Sequence, residues 1–332
     1  MGIEKYSWLN QSIKKNPIEN LPSSIIIEGE SGLAKSKLAQ YFSKQLLCSN
    51  LNQECLDCNS CSYYDAGSHP DYCYLTSETC STGLHAVSKE KNEKIISKRI
   101  DGIRALNEFM SLTNSVSKRR VAVIFDAHLM NVQAQNALLK TLEELPINKF
   151  IILVSDKRKY FQPTIYSRSN LISVNNPPST EIDLWITKQG YIDYSSLNFS
   201  PDSTPLEIEH LINISSADQY QEITQQLNLY CSGQLLPSEL LKFFKDLGIS
   251  YESKINSIII FLKTCLGISQ KFYKPHPLFK SLENNLIDER SLSDLIEELI
   301  DYKVGLVKVP SLNEQIGLSN FVFKVKKIFS SQ

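Results

Sequence analysis

The sequence predicts an α/β domain built on a parallel sheet, followed by an all-helical half. Three observations carry this. Short apolar or β-branched runs at 23–28, 72–76, 121–126, 150–155 and 170–174 are interleaved with helical patterns at 34–47, 97–112 and 132–144. Strands alternating with helices argue a parallel sheet covered on both faces. The run Asn175-Asn176-Pro177-Pro178 then breaks the alternation, because proline removes a backbone donor and biases its predecessor away from helix. Beyond it the apolar spacing is helical to the end, in segments 180–189, 206–214, 217–230, 238–247, 251–266 and 292–302. The expected domains are 1–175, 176–214 and 215–332.

The first strand is the run Ser23-Ser24-Ile25-Ile26-Ile27-Glu28, which ends in a glycine turn. The turn, Gly29-Glu30-Ser31-Gly32-Leu33-Ala34-Lys35-Ser36, nearly fits the phosphate-loop pattern G-x-x-x-x-G-K-[ST]. Leu38, Tyr41, Phe42 and Leu46 follow at helical spacing, so strand, loop and helix come in the order that motif requires. In such a loop backbone N–H groups cradle phosphates, the lysine meets the β/γ oxygens and the hydroxyl meets Mg²⁺. Lys35 and Ser36 supply the last two. Ala34 stands where the second glycine belongs and adds a Cβ where the backbone approaches its ligand, so nucleotide binding is expected to be weak or absent.

The strand Val121-Ala122-Val123-Ile124-Phe125-Asp126 resembles the Mg²⁺-binding strand of phosphate-loop ATPases. An active member would next place a glutamate to orient the attacking water, and here that residue is Ala127. Phosphoryl transfer depends on positioning and charge stabilisation, so intrinsic ATPase activity is not expected. Lys35, Ser36 and Asp126 read together as a degenerate ATP site. His128 reads as a packing or capping residue.

Cys48, Cys55, Cys58 and Cys61 supply four thiols within one short excursion. Cys-x2-Cys spacing brings two sulfurs to one tetrahedral ion and a second pair closes the shell, so structural Zn²⁺ is the expected occupant. Four protein ligands leave no open position for catalysis. The other cysteines are Cys73, Cys80, Cys231 and Cys265, and they read as small core or surface residues. The polar stretch 77–98 reads as a mobile surface loop.

A chain of 332 residues fits two or three domains. Its net charge of −1 gives no global drive toward nucleic acid. Basic residues at Lys94, Lys98 and Arg99 alternate with Glu90, Glu93 and Asp101, which favours a solvated face. No run approaches the roughly 18 apolar residues of a membrane span. The first residues lack the order of a signal peptide, and a cytoplasmic location is expected.

One string narrows the family. Gln135-Asn136-Ala137-Leu138-Leu139-Lys140-Thr141-Leu142-Glu143-Glu144-Leu145-Pro146 closely resembles the helix after the Mg²⁺ strand in bacterial sliding-clamp loaders, part of the AAA+ superfamily. Tyr6-Ser7-Trp8-Leu9, the cysteine set, His69-Pro70-Asp71 and Ser167-Arg168-Ser169 also resemble segments of those proteins, the last with Ser169 in place of cysteine. The resemblance implies an AAA+ sheet domain with a zinc module over 1–175, a helical lid over 176–214 and a helical oligomerisation collar over 215–332. It implies that Arg168 acts as an arginine finger in trans on ATP held by the next subunit. The chain would not hydrolyse ATP itself. Its partners would be the gamma/tau and delta loader subunits in a hetero-pentamer, with the sliding clamp and primed DNA engaged through the complex and no membrane. The alternatives are a catalytically active loader ATPase of the gamma/tau type and a zinc-containing nucleic-acid module.

Overall fold

Glu28 is the last residue of a strand that organises the N-terminal half, and the chain order around that strand sets where a ligand crevice falls. In the computed structural model the described residues are 2–50, 55, 58–76, 80–82, 85–86, 95–213, 217–270, 279, 288–308 and 314–329. They form two units, Met1–Glu181 and Ile182–Gln332.

The first unit runs α1 (Asn10–Lys15), β1 (Ser24–Glu28), α2 (Lys35–Leu47), α3 (Asn59–Asp65), β2 (Tyr72–Leu75), β3 (Cys80–Thr82), β4 (His85–Ala86), α4 (Ile95–Ser111), β5 (Arg120–Ile124), α5 (Val132–Glu143), β6 (Lys149–Ser155), α6 (Pro163–Tyr166) and β7 (Asn170–Ser173). The sheet order is β4-β3-β2-β5-β6-β1-β7, and β2, β5, β6, β1 and β7 are all parallel. Every residue of β1, β5 and β6 is buried, as expected for strands covered on both faces. Side chains alternate across the sheet. Ile26, Ala122, Ile124, Ile151 and Leu153 pack with Ile103, Leu106, Leu138 and Leu142 of α4 and α5, while α2 packs on β1, β5 and β6. The chain leaves β1 for β2, returns through β5 and β6 to lie beside β1, and then places β7 on its other side. This reversal of strand order marks the place where open α/β sheets bind ligands, outside the carboxyl ends of the strands.

The stretch 77–98 departs from expectation. Cys80–Thr82 and His85–Ala86 add two antiparallel strands to the β2 edge, with Cys73 opposite Thr82 and Leu75 opposite Cys80. α4 already begins at Ile95. Backbone pairing needs no apolar alternation, so hydropathy carried no signal for these strands. Residues 77–79, 83–84 and 87–94 of that stretch lie outside the described set, as does Lys94 of the basic run.

The second unit is helical: most of α7 (Ser179–Lys188), then α8 (Pro205–Asn213), α9 (Ala217–Cys231), α10 (Pro237–Asp246), α11 (Tyr251–Ser269), α12 (Glu289–Lys308) and α13 (Glu314–Phe329). Leu227, Tyr230, Phe244, Ile258, Leu262, Leu299 and Phe321 belong to one buried cluster. The Tyr230 hydroxyl donates to the Val322 carbonyl at 2.8 Å, which satisfies the one polar atom that this side chain buries. No helix among the described residues is long and apolar enough to cross a membrane.

Candidate functional site

The glycine loop leaves β1 at the carboxyl edge of the sheet. Gly29 is required there by close packing, since a Cβ would lie 2.3 Å from the Val174 carbonyl oxygen. Gly32 adopts φ +79. Ala34 caps α2 with φ 58 and ψ 27, the left-handed region, which costs an L-residue roughly 1–2 kcal/mol. The loop therefore keeps the backbone course that its missing glycine would take freely. Its shape is held from outside, because the Trp8 indole donates to the Leu33 carbonyl at 3.0 Å.

Lys35 is only 3% exposed and its ammonium is already engaged. It donates to the Glu30 carbonyl and pairs with Asp156 Oδ1 at 2.7 Å. Asp156 follows β6, and its backbone N–H donates to His128 Nδ1 at 3.2 Å. His128 thus packs as a hydrogen-bond acceptor, with its ring edge-on to Tyr160. Ser36 is exposed at the start of α2. Asp126 follows β5, two strands from β1, with φ 49 at the head of a short 3-10 turn. The three expected ATP-site residues share the carboxyl edge of the sheet. The lysine, however, is bonded to Asp156 rather than left facing a phosphate, and Ala127 is fully buried.

The four cysteine sulfurs lie within 4.8 Å of one another, and those of Cys48 and Cys58 are 4.0 Å apart. A tetrahedron of thiolates with bonds near 2.3 Å has edges of about 3.8 Å, so the set can close on one metal ion with small adjustment. Backbone donors already face the sulfurs, Asn50 N–H on Cys48 and Cys61 N–H on Cys58, each at 3.4 Å. Burial alone would raise the Cys58 thiol, but hydrogen bonds from the Ser49 and Cys61 backbone and from neighbouring thiols bring it down to about 6. Burial pushes Cys61 up, and the neighbouring thiols add to this.

A buried polar network ties this centre to the sheet. The Leu47 carbonyl, in the last turn of α2, accepts the hydroxyls of Ser60 (2.6 Å) and Ser117 (2.9 Å). The Ser60 hydrogen is spent on that carbonyl, so His69 Nε2, 2.7 Å from Ser60 Oγ, must be the donor of their bond. His69 Nδ1 then accepts from the Asp71 backbone N–H at 3.0 Å. The ring is a neutral Nε2–H tautomer, and burial lowers its pKa. The Asp71 carboxylate is fully buried and accepts from the backbone N–H groups of Ser115, Val116 and Ser117 and from Arg120 Nη2. Arg120 also lies over the Phe109 ring, 4.4 Å from its centroid. His69-Pro70-Asp71 is thus a fastening between the cysteine loop, β2 and the turn before β5.

Arg168 follows α6 and is 37% exposed. Four contacts fix its surroundings. Gln135 accepts the Gln162 N–H at 3.0 Å and donates to Met130 O at 3.3 Å. The Tyr166 hydroxyl meets Glu28 Oε2 at 2.9 Å, and burial with this partner raises Tyr166 to about 12. Ser169 and Ser24 share a hydrogen bond of 2.7 Å. Arg168 itself donates through Nη1 to Thr164 O and Ser167 Oγ, and through Nη2 to Glu143 Oε1 at 2.7 Å. The sequence drew attention to Arg168 but gave no sign of roles for Glu28, Glu143, Asp156 or Tyr166, whose partners are between 25 and 138 residues away in the chain.

The strand order, the glycine loop closing β1 and the aspartate closing β5 define an α/β domain of the phosphate-loop class, with a loop whose lysine is internally paired. The chain belongs to the family described as DNA polymerase III, delta subunit, which matches residues 3–178, just over half its length. It is 35% identical over 145 residues to the DNA polymerase III subunit delta′ of Pseudomonas aeruginosa, covering 43% of this chain and 40% of that protein. It is 25% identical over 233 residues to the subunit delta′ of Buchnera aphidicola subsp. Schizaphis graminum, covering 67% and 66%. The matched segments therefore span less than two thirds of either relative. A solved gamma-subunit-related protein of DNA polymerase III from Thermotoga maritima aligns with 97% of this chain and 99% of its own at 16% identity and a TM-score of 0.38.

Proposed function

We propose that this chain is a clamp-loader subunit of the delta′ kind, which hydrolyses no ATP itself and presents Arg168 to ATP held by an adjoining ATPase subunit. One contrast carries the reading. Both cations are ion-paired, but the loop lysine is 3% exposed whereas Arg168 is 37% exposed and sits on a segment anchored to β1. A cation kept at the surface near the amino end of β1, in a chain whose own loop cation is buried and paired, suits action on a neighbour's nucleotide. The guanidinium would supply charge to the terminal phosphate as bond cleavage proceeds, and such an arginine contributes about 10³–10⁵ in rate. Ala127 leaves no carboxylate beside Asp126 to orient water in this chain's own loop.

The cysteine centre fits structural Zn²⁺, held by Cys48, Cys55, Cys58 and Cys61. The ion would fasten the end of α2 to α3 and perform no chemistry. On the family's pattern, residues 176–214 would serve as lid and 215–332 as the collar that joins gamma/tau and delta in a pentamer. Clamp and primed DNA would then be met through the complex. Reconstitution with gamma/tau and delta tests the proposal. Arg168→Ala should leave assembly intact and slow ATP turnover at the adjoining site. An unchanged rate, or robust turnover by the isolated chain, would overturn it in favour of a gamma/tau-like ATPase.

A further inference from the structure

The hydrogen-bonding state of the Arg168 guanidinium has a consequence for how it would be used. Nη1 is turned back onto its own segment, to Thr164 O at 3.0 Å and Ser167 Oγ at 3.2 Å. Nη2 is held by Glu143 Oε1 at 2.7 Å. A guanidinium grips a phosphate through two parallel N–H groups, either Nη1 with Nη2 or Nε with Nη2. The first fork needs Nη1, which Thr164 and Ser167 hold, and either fork needs a hydrogen of Nη2, the nitrogen on which the Glu143 carboxylate competes with a phosphate.

We infer that Glu143 is a latch in cis, holding Arg168 off the neighbouring nucleotide until a terminal phosphate displaces the carboxylate. This rests on the proposed action of Arg168 in trans and adds the group that regulates it. Exchange is feasible because both partners are half-open to water, at 37% and 47% exposure. A phosphate carrying more than one negative charge can outcompete a single carboxylate for the same fork. Glu143 terminates α5, and Arg168 follows α6, whose first residue is preceded by the Gln135–Gln162 bond. The carboxylate and the arginine are therefore offered from two elements already fastened together, so release requires only side-chain rotation.

An exposed pair of this kind biases an equilibrium by about 1.4- to 5-fold. In the reconstituted loader, Glu143→Gln should raise kcat/KM for ATP by that factor. The gain should shrink in about 0.5 M salt, where charges at the surface are screened. It should vanish when Arg168→Ala is present as well, because there is then nothing to release. A slower Glu143→Gln complex would mean that the carboxylate orients Arg168 and would overturn the latch, as would an unchanged rate. Arg168→Ala alone separates the two ideas. If it slows turnover while Glu143→Gln brings no gain, only the latch fails. If it leaves turnover unchanged, the action in trans fails first.

Discussion

Replacing Asp71 by Asn probes a fully buried carboxylate in the sheet domain. The carboxylate receives four donors, two on each oxygen. Ser115 N–H and Arg120 Nη2 meet Oδ1, and Val116 and Ser117 N–H meet Oδ2. An amide keeps one oxygen, so either orientation turns an NH2 toward two buried donors, each left unmade at about 1–3 kcal/mol. Arg120, 2% exposed, would lose its ionic partner. Breaking one side of a buried pair costs about 3–5 kcal/mol, and because the two penalties overlap we expect the upper end of that range. The assay is urea unfolding followed through Trp8, in a Trp185→Phe background so that only the sheet domain reports. With a slope of about 2 kcal/mol/M the midpoint should fall by roughly 2 M. Pairing Asp71→Asn with Arg120→Met should cost less than the sum of the single changes, since no charge is then stranded. A loss below about 1 kcal/mol for Asp71→Asn would refute the reasoning.

Two further outcomes follow from the same half of the molecule. Cys58→Ser should lower bound zinc and increase proteolysis between Cys48 and Cys61, and undiminished zinc by elemental analysis would remove the metal assignment. His69 has a depressed pKa in the folded state, so the unfolded chain binds its proton more readily. Its contribution to stability is present above about pH 6.5 and is lost as pH falls toward the folded value. Urea unfolding at pH 7.5 and 5.5 should therefore show a larger acid loss in the wild type than in His69→Asn, and equal losses would contradict the assigned tautomer.

Much of the fold was legible because its signals are local. Ile25-Ile26-Ile27 and the apolar run 150–154 announce strands buried on both faces, and α2 follows the spacing of Leu38, Phe42 and Leu46. The cysteine centre was legible for the same reason, since thiols at fixed short spacing meet wherever the loop closes. The β3–β4 pair was not, because two short polar strands added at an edge are held by backbone bonds. α3 and α6 are brief and fixed by caps and distant side chains rather than by periodicity. The state of Lys35 was invisible too: nothing near it in sequence marks Asp156 as its partner, 121 residues on. A motif discloses which groups are available, and only the folded chain discloses which are already committed.

The bonds at the two ends of β1 have a mechanical consequence. Ser24 grips Ser169 at one end, and Glu28 grips Tyr166 at the other, so the segment carrying Arg168 is riveted along β1, the strand next to the β7 edge of the sheet. That same strand leads directly into a loop stiffened by Trp8 and by the Lys35–Asp156 pair. In a subunit that cycles nucleotide, such a spar would pass every change in the loop on to the arginine. Here it runs between two fixed points, which holds the backbone that carries Arg168 in place and leaves only its side chain to move.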